Sequence, residues 1–450
     1  MIILAPSIVL LPILLIWGAL FLVYSTAARR DGRTPADDIG VIFLLVLTLY
    51  TTLPPLFWLL QGGTYNSIFS GRLLQLQPST EDTFYLLTIA LSYALGFSAV
   101  YLWLRRRIPR PVVPLAIPYI KNPMMAGAIV IIAVSLLISM FLSFIGAIGT
   151  AESYADQYRV IAELPLALRQ LVKIVAGFAA IAQLVILVAL LQRWPRHRVW
   201  FVLYMVSILF SFDANGSRTP IATGLLSVLV VWHVLVRPIS ISRWLAMFGL
   251  GMIVFLILGY WRDLASWNAL VALDSGDFSL GEFDSLWANA VDLLYRRDHG
   301  GLNIPFATYF EEFISFIPSQ LLPFEKMALS DWYLNSFYSQ YKLEGGGWAF
   351  GAISQAVVGG GVFEALIRGG LLGAISVWLI RWQRAQKGAW WRFPLYLYLL
   401  VFSYQSVRDT TFSLLGNLIQ IALPAILLIT LIGMILPMSS KQKFIPLQKQ

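Results

Sequence analysis

About eleven apolar runs, most of them long enough to cross a lipid bilayer, fill this sequence of 450 residues. A helix needs about 20 mostly apolar residues to cross a hydrocarbon layer of about 30 Å. Only helices and closed barrels pair all of their backbone polar groups inside lipid. The runs are uninterrupted, whereas the strands of a barrel would alternate apolar and polar residues. The sequence therefore predicts an all-α fold, a polytopic bundle of transmembrane helices.

Composition favours a membrane protein over a soluble one. Hydrophobic residues make up 58% of the chain and charged residues 12%, and the mean hydropathy is +0.75. Soluble domains carry about 25% charged residues. With a window of about 19 residues, the predicted spans are 2–24, 39–61, 84–104, 124–147, 170–191, 199–212, 219–236, 244–261, 362–380, 393–407 and 412–436. If a twelfth segment is embedded in the membrane, it falls within 304–322 or 348–361.

The loops between these runs alternate in charge. Loops on one face hold 20 of the 32 basic residues and only three acids, Asp31, Asp37 and Asp38. Because Lys and Arg concentrate on the cytoplasmic side, that face is predicted to be cytoplasmic, with the N-terminus outside and the C-terminus inside. The net charge of +9 then reflects topology, and no nucleic-acid partner is expected. The basic residues are Arg29, Arg30, Arg33, Arg105, Arg106, Arg107, Arg110, Lys121, Arg193, Arg196, Arg198, Arg237, Arg243, Arg381, Arg384, Lys387, Arg392, Lys441, Lys443 and Lys449.

One stretch, 263–361, is long enough for substantial structure outside the membrane. It divides the chain into an N-terminal bundle of about eight spans (1–262), an extracytoplasmic loop (263–361) and a C-terminal bundle of about three spans with a cytoplasmic tail (362–450). Helices are expected near 284–297 and 306–322, as interfacial or re-entrant segments. Function is predicted to lie on this outer face.

The absence of several residue types and motifs excludes some classes of reaction. The chain has no Cys, which excludes a thiol nucleophile and a disulfide. It contains no Walker loop and no HExxH pair, so the sequence indicates neither a nucleotide-driven motor nor a recognisable metal site. No cofactor is expected.

Arginines at the outer ends of the spans are the first candidate binding residues. Arg218, Arg262, Arg368 and Arg408 lie on the side where Arg is disfavoured. They either reach lipid phosphates or converge on an anionic substrate, which a guanidinium binds with two parallel hydrogen bonds. Arg218 also directly precedes a predicted helix start, where backbone N–H groups favour anions. Asp409 could orient Arg408.

A second candidate group lies inside the long loop. Arg296, Arg297, Asp298 and His299 follow one another before a Gly-Gly turn. The group is either a solvated helix end or part of a site with two cations, an acid and an imidazole. Aromatic residues around it suit sugar stacking, although they also anchor membrane interfaces.

Four stretches together resemble the bacterial Wzy-type O-antigen, or oligosaccharide repeat unit, polymerases. They are Gly216-Ser-Arg218 at a helix start, the aromatic segment 310–318, the Gly-rich segment 345–370, and Arg408-Asp409 before the last helix. The resemblance spans roughly residues 210–415. It departs from the family in the Gly-rich segment, where Gln355 and the turn 358–361 stand in place of an acidic residue and an Asn-Phe-Gly-like turn.

The resemblance implies a GT-C-like membrane glycosyltransferase that needs no metal. Such an enzyme transfers a growing glycan from undecaprenyl pyrophosphate to another lipid-linked repeat unit, at the periplasmic face of the bacterial inner membrane. Membrane lipids and a Wzz-type chain-length regulator are the other expected partners. The pyrophosphate is expected to bind Arg218, Arg262, Arg296, Arg297, Arg368 and Arg408. The first candidate for the general base is His299, and the others are Asp298, Glu311, Glu312 and Asp409.

Other functions remain open from the sequence. An O-antigen ligase, which moves the finished glycan to lipid A, or another polyprenyl-dependent glycosyltransferase would use similar arginines. From a different class, a lipid-linked oligosaccharide flippase or secondary transporter would also have many spans. Transporters more often show internal repeats and charges at mid-membrane depth, and neither is evident here.

Overall fold

The described part of the chain is built from helices. The computed structural model describes residues 6–32, 34–62, 78–108, 117–144, 164–210, 219–247, 249–251, 253, 282–317, 321–324, 326–343, 349–384 and 389–436. Within these ranges the regular elements are all helical and no strand occurs. The predicted all-α fold is therefore confirmed for the described residues.

Seven of the described helices are long and apolar enough to cross a membrane. They are α1 (Leu10–Asp31), α2 (Ile39–Leu60), α3 (Thr80–Arg105), α4 (Asn122–Phe144), α5 (Leu166–Leu191), α14 (Gly361–Arg384) and the continuous helix Leu414–Ile435, formed by α17 (Leu414–Asn417), a π-helical turn (Leu418–Ala422) and α18 (Leu423–Ile435). The chain is thus a helical membrane protein.

The other helices are shorter. Predicted spans 199–212 and 219–236 correspond to α6 (Arg198–Phe210) and α7 (Thr219–Leu235). Predicted span 393–407 is broken into α15 (Arg392–Val401), a 3₁₀ turn (Phe402–Tyr404) and α16 (Gln405–Arg408). Most of predicted span 244–261 lies outside the described residues, so the total of eleven spans stays a prediction. These helices are α6 (Arg198–Phe210), α7 (Thr219–Leu235), α8 (Glu282–Asp298), α9 (Phe306–Tyr309), α10 (Glu311–Ile314), α11 (Leu329–Phe337), α12 (Ser339–Leu343), α13 (Ala352–Val358), α15 (Arg392–Val401) and α16 (Gln405–Arg408).

Helices α3 and α14 pack in parallel with almost no space between their backbones. A Cβ atom added at Gly369 would lie 2.1 Å from the carbonyl oxygen of Tyr93, and one at Gly373 would lie 2.5 Å from that of Phe97. On the facing helix, a Cβ at Gly96 would lie 2.1 Å from the Leu366 carbonyl oxygen. Small residues at i and i+4 allow this close approach in lipid, where dispersion contacts drive helix association.

Gly369→Ala should destabilise the protein, while Gly370→Ala should not. The new methyl group at 369 meets backbone, which cannot move aside, whereas the nearest atom to a Cβ at Gly370 would be in the Val100 side chain at 3.4 Å, an ordinary van der Waals distance. Overpacking costs about 1–3 kcal/mol, so we expect a lower melting temperature in detergent for the first variant only. Equal melting temperatures of the two variants would contradict the backbone contact.

Four helix ends meet in one buried ionic cluster. The Arg105 guanidinium is fully buried and lies 2.9 Å from Asp31 and 3.5 Å from Asp38. Arg384 lies 2.7 Å from the other oxygen of Asp31. The cluster therefore joins the ends of α1, α3 and α14 to the start of α2, the same four ends that the sequence assigns to the basic face. That this face is cytoplasmic stays a prediction.

The long loop enters the bundle. The helix predicted near 284–297 is confirmed as α8, and residues 283–294 of it are buried. Its Phe283 ring lies 4.5 Å from the ring of Tyr50, which is near the middle of α2. At the other end, Arg297 donates to the hydroxyl of Tyr85 near the start of α3. Helix α8 thus runs inside the bundle, from halfway along α2 to the end opposite the ionic cluster.

Two further parts of the loop support this arrangement. Helix α13 packs against α8, α3 and α14, and the Asn289 side chain on α8 donates to the Ala349 carbonyl just before α13. The helix predicted at 306–322 was wrong as a single element: the structure has two short helices, α9 and α10, which turn to cover the last hairpin. The helix is interrupted at Phe310, and α10 packs against α17 of that hairpin.

Candidate functional site

The two arms of the last helical hairpin are joined by a non-helical turn at the end of the bundle opposite the ionic cluster. Helix α16 ends at Arg408, and helical structure resumes at Leu414. The residues between them, here called the helix break (409–413), include the buried Thr410, Thr411 and Phe412. Helix α10 covers this break, with the Phe313 ring 5.1 Å from the Phe412 ring. Non-helical backbone inside a membrane protein requires such a cover, because its polar groups must find partners within the protein.

Glu312 provides hydrogen-bond acceptors for the backbone N–H groups of the helix break, directly and through Gln355. Its side chain is fully buried and accepts a hydrogen bond of 2.8 Å from the Phe412 backbone N–H. The same carboxylate accepts from the Gln355 amide at 2.9 Å, and Gln355 in turn accepts from the Thr411 backbone N–H at 3.0 Å. Two backbone donors that precede the last helix are therefore satisfied by side chains.

Arg368 lies between two carboxylates, those of Glu312 and Glu364. Its Nη1 atom lies 2.5 Å from Glu312 and its Nε atom 2.6 Å from Glu364, one helical turn away. Glu364 also accepts hydrogen bonds from the Tyr309 hydroxyl and from the Gly360 backbone N–H. A buried guanidinium is retained only when its charge is compensated, and here two acids do so. We call these four side chains, Tyr309, Glu312, Glu364 and Arg368, the buried ionic network.

Beside this network, two carboxyl groups with altered proton affinity lie at the helix break. Burial raises the pKa of Asp409 to about 6, against the opposing charge of Arg408. Burial and the negative charge of Asp409 raise the pKa of Glu311. Lys326 counteracts this at Glu311 and donates to the carbonyl of Ser315 at 2.9 Å. Carboxyls that titrate closer to neutral pH are suited to accept a proton from a substrate hydroxyl.

The raised pKa of Asp409 makes the stability of the protein depend on pH. Between about pH 4 and pH 6 the folded state binds a proton that the unfolded state has lost, so stability should fall as the pH rises through this range and then level off. The size is about 1–3 kcal/mol. We expect the melting temperature of the wild type to decrease from pH 4.5 to 6.5, and Asp409→Asn to flatten this decrease. An unchanged slope in that variant would contradict the assignment.

The other predicted site residues of the loop lie at the C-terminal end of α8. Arg296 pairs with Asp292 at 3.0 Å, and Asp292 also accepts from the hydroxyls of Tyr333 and Tyr338. The buried Asp292 carboxylate therefore links α8 to α11 and also pairs with Arg296.

Arg297, Asp298 and His299 are closer to the surface. Arg297 pairs with Asp298 at 3.0 Å and donates to Tyr85 at 3.0 Å. Among the described residues, exposed His299 contacts Tyr295, with its Nδ1 atom 2.7 Å from that carbonyl and the two rings 4.0 Å apart.

The structure thus brings together some of the candidates. Glu311, Arg408 and Asp409 interact electrostatically at the helix break. Glu312 binds the Phe412 backbone N–H of the break and pairs with Arg368. Residues 296–299 form a separate group at the end of α8. Arg218 and Arg262 lie outside the described residues.

An open cavity lies next to the ionic network. It has a volume of about 470 Å³, and its apolar walls come from the segment after α8 and from α9. Gly359 is essential to its geometry, since a Cβ there would lie about 2 Å from both the Tyr309 hydroxyl and Glu364. The lining consists of Leu302, Ile304, Phe306, Tyr309, the turn 358–360 and Glu364.

Sequence reasoning missed Tyr309, Gln355 and Glu364 as site residues. One signal was present: Glu364 and Arg368 are four residues apart, the spacing at which opposite charges meet on a helix. Nothing in the sequence pattern indicated that Glu312, more than fifty positions earlier, would complete the pair.

The chain was compared with models of protein families, with curated proteins and with solved structures, and none of them matches it. The geometry of the site and the residues of the chain therefore carry the functional argument.

Proposed function

We propose that this protein is a metal-independent glycosyltransferase that polymerises undecaprenyl-pyrophosphate-linked oligosaccharide repeat units into O-antigen or a related surface polysaccharide. Its site lies at the periplasmic face of a bacterial inner membrane, with the N-terminus outside and the C-terminus in the cytoplasm. A chain-length regulator is an expected partner.

One observation carries the proposal: at the helix break of the last hairpin, Asp409 interacts electrostatically with a second carboxyl, Glu311, and with the cation of Arg408. The pKa values of both carboxyls are raised by burial. A group that accepts protons near neutral pH and a permanent cation are the two elements that transfer from a pyrophosphate donor requires.

The carboxyl groups and Arg408 have different roles in the proposed reaction. A carboxylate, Asp409 or Glu311, takes the proton from a hydroxyl group of the acceptor sugar. The hydroxyl oxygen forms a bond to the anomeric carbon of the donor, and the bond from that carbon to pyrophosphate breaks. The leaving pyrophosphate keeps the electron pair, and Arg408 stabilises its growing negative charge. Arg218, Arg262 and the arginines of α8 stay proposed contributors to the same anion.

The position of the site supports an outer location. It lies at the start of α14, while the cluster of Arg105, Arg384 and the aspartates lies at the end of the same helix. Because basic loops favour the cytoplasmic side, the opposite end of α14 is expected to face the periplasm. Lipid-linked repeats and their undecaprenyl chains reach such a site from the membrane.

The direct test is the length of surface glycan in cells that lack this protein, with lipid-linked glycans extracted in parallel. We expect the long ladder to disappear while single repeat units still reach the surface, and expression of the intact chain to restore it. An unchanged ladder would overturn the proposal. Full-length polymer retained on its lipid carrier would indicate a ligase, and repeats trapped on the cytoplasmic face would indicate a flippase.

A further inference from the structure

We propose that the open cavity beside Glu364 binds a neutral sugar ring, as the acceptor pocket of the site. This proposal rests on the proposed function in its choice of sugar, and it assigns roles to Glu364 and Phe306 that the sequence did not suggest.

The size and lining of the cavity match a small polar ligand with an apolar face. A volume of about 470 Å³ lies in the range of small-molecule pockets, which combine apolar walls with a few fixed polar groups. Phe306 is 79% exposed, and its ring packs against the Phe310 ring in a tilted arrangement, with 4.6 Å between the ring centres. The C–H face of a pyranose ring packs against such an aromatic surface.

Glu364 supplies the fixed polar group. A carboxylate has about four lone-pair positions. Its Oε1 atom accepts from Tyr309 and Arg368, and its Oε2 atom accepts from the Gly360 N–H. One position on Oε2 is left for a sugar hydroxyl, and the Tyr309 oxygen can accept a second one.

The charges beside the cavity disfavour an anionic ligand. Arg368 is shared by Glu364, at 2.6 Å, and Glu312, so its Nε and Nη1 atoms already face carboxylates. These two carboxylates outnumber the one cation. Hydroxyl groups, which donate to the carboxylate without carrying charge, fit this arrangement best.

The pocket also lies next to the helix break. Tyr309 and Phe310 directly precede Glu311, and Arg368 links Glu364 to Glu312 and through it to the Phe412 backbone. A sugar held against Phe306 and Glu364 would therefore be bound by the same segment that carries the proposed base.

The test uses the full-length protein in detergent and a defined probe. The probe is the single-repeat oligosaccharide released by mild acid from the lipid-linked repeat units of the producing cells, and binding is measured by titration calorimetry. We expect Phe306→Ala and Glu364→Gln each to weaken binding about tenfold or more. Phe316, also exposed in this segment but outside the cavity lining, gives the matched control, and Phe316→Ala should bind like the wild type.

Two outcomes separate this proposal from the proposed function. If the oligosaccharide does not bind, or binds equally to wild type and to Phe306→Ala, the sugar pocket is overturned whatever the glycan ladder shows. If binding depends on Phe306 while deletion of the protein leaves the ladder unchanged, the pocket stands and the polymerase does not. Because Phe306 is exposed, its truncation leaves the fold intact and keeps the test independent of Glu364.

Discussion

Replacing Arg368 by Met is expected to cost more stability than any other single change considered for this protein. The substitution leaves Glu312, whose side chain is fully buried, and the neighbouring Glu364 without their shared cation. Removal of one partner from a buried ion pair costs about 3–5 kcal/mol, since the remaining charge is uncompensated. We expect little folded protein in detergent extracts, measured by size-exclusion chromatography and thermal melting.

A second substitution tests the cause. Arg368→Met combined with Glu312→Gln removes the more deeply buried of the two uncompensated charges as well as the cation, so part of the lost stability should return. Arg381→Met, on the exposed surface of the same helix, serves as the control and should melt like the wild type. If the double variant is as unstable as the sum of the two single variants, the two residues do not act as a pair.

Arg408→Ala is expected to abolish polymer formation while the protein still folds and inserts. The guanidinium beside Asp409 is the proposed partner of the leaving pyrophosphate, and loss of such a stabilising group costs about 100- to 1000-fold in rate. Arg408→Lys should restore little activity, because Lys lacks the planar fork that binds two phosphate oxygens together. Surface glycan length on gels, at equal protein level, measures the effect.

The control for this prediction is Arg381→Ala, at the opposite end of α14, which should leave the glycan ladder unchanged. Arg218→Ala is expected to behave like Arg408→Ala. A normal ladder in the Arg408 variant would remove this residue from the proposed pyrophosphate site and with it the main cation of the mechanism.

The helical membrane fold could be predicted from the sequence because it depends on local properties. An apolar run such as 39–61 is long enough to cross lipid by itself, and the structure places a helix at Ile39–Leu60. The same reasoning failed at 306–322. There the segment is shaped by the surface it covers, so the break between α9 and α10 follows from tertiary contacts rather than from its own periodicity.

The candidate site could be predicted only in part. Arg408 stands out, with Asp409 beside it, because Arg is disfavoured at the outer ends of membrane spans. The pairing of Arg368 with Glu312 was not predictable, because it depends on how α10 folds over the helix break. Similarly, α8 reads as an amphipathic loop helix, and only its contact with Tyr50 reveals that it lies inside the bundle.

The close pair of α3 and α14 is fastened at both ends. Arg105 of α3 and Arg384 of α14 both pair with Asp31 at one end, while at the other end Gly361, where α14 begins, lies against the hydroxyl of Tyr85 on α3. If one helix slid along the other by a single turn, about 5.4 Å, the ionic contacts would break. The carbonyl oxygens of one helix would also lose the glycines that let them approach the other helix so closely. The pair therefore behaves as a fixed frame. The covering segment at 306–317 is held to this frame by the buried pair of Glu312 and Arg368, so it can lift away only at the cost of separating that pair.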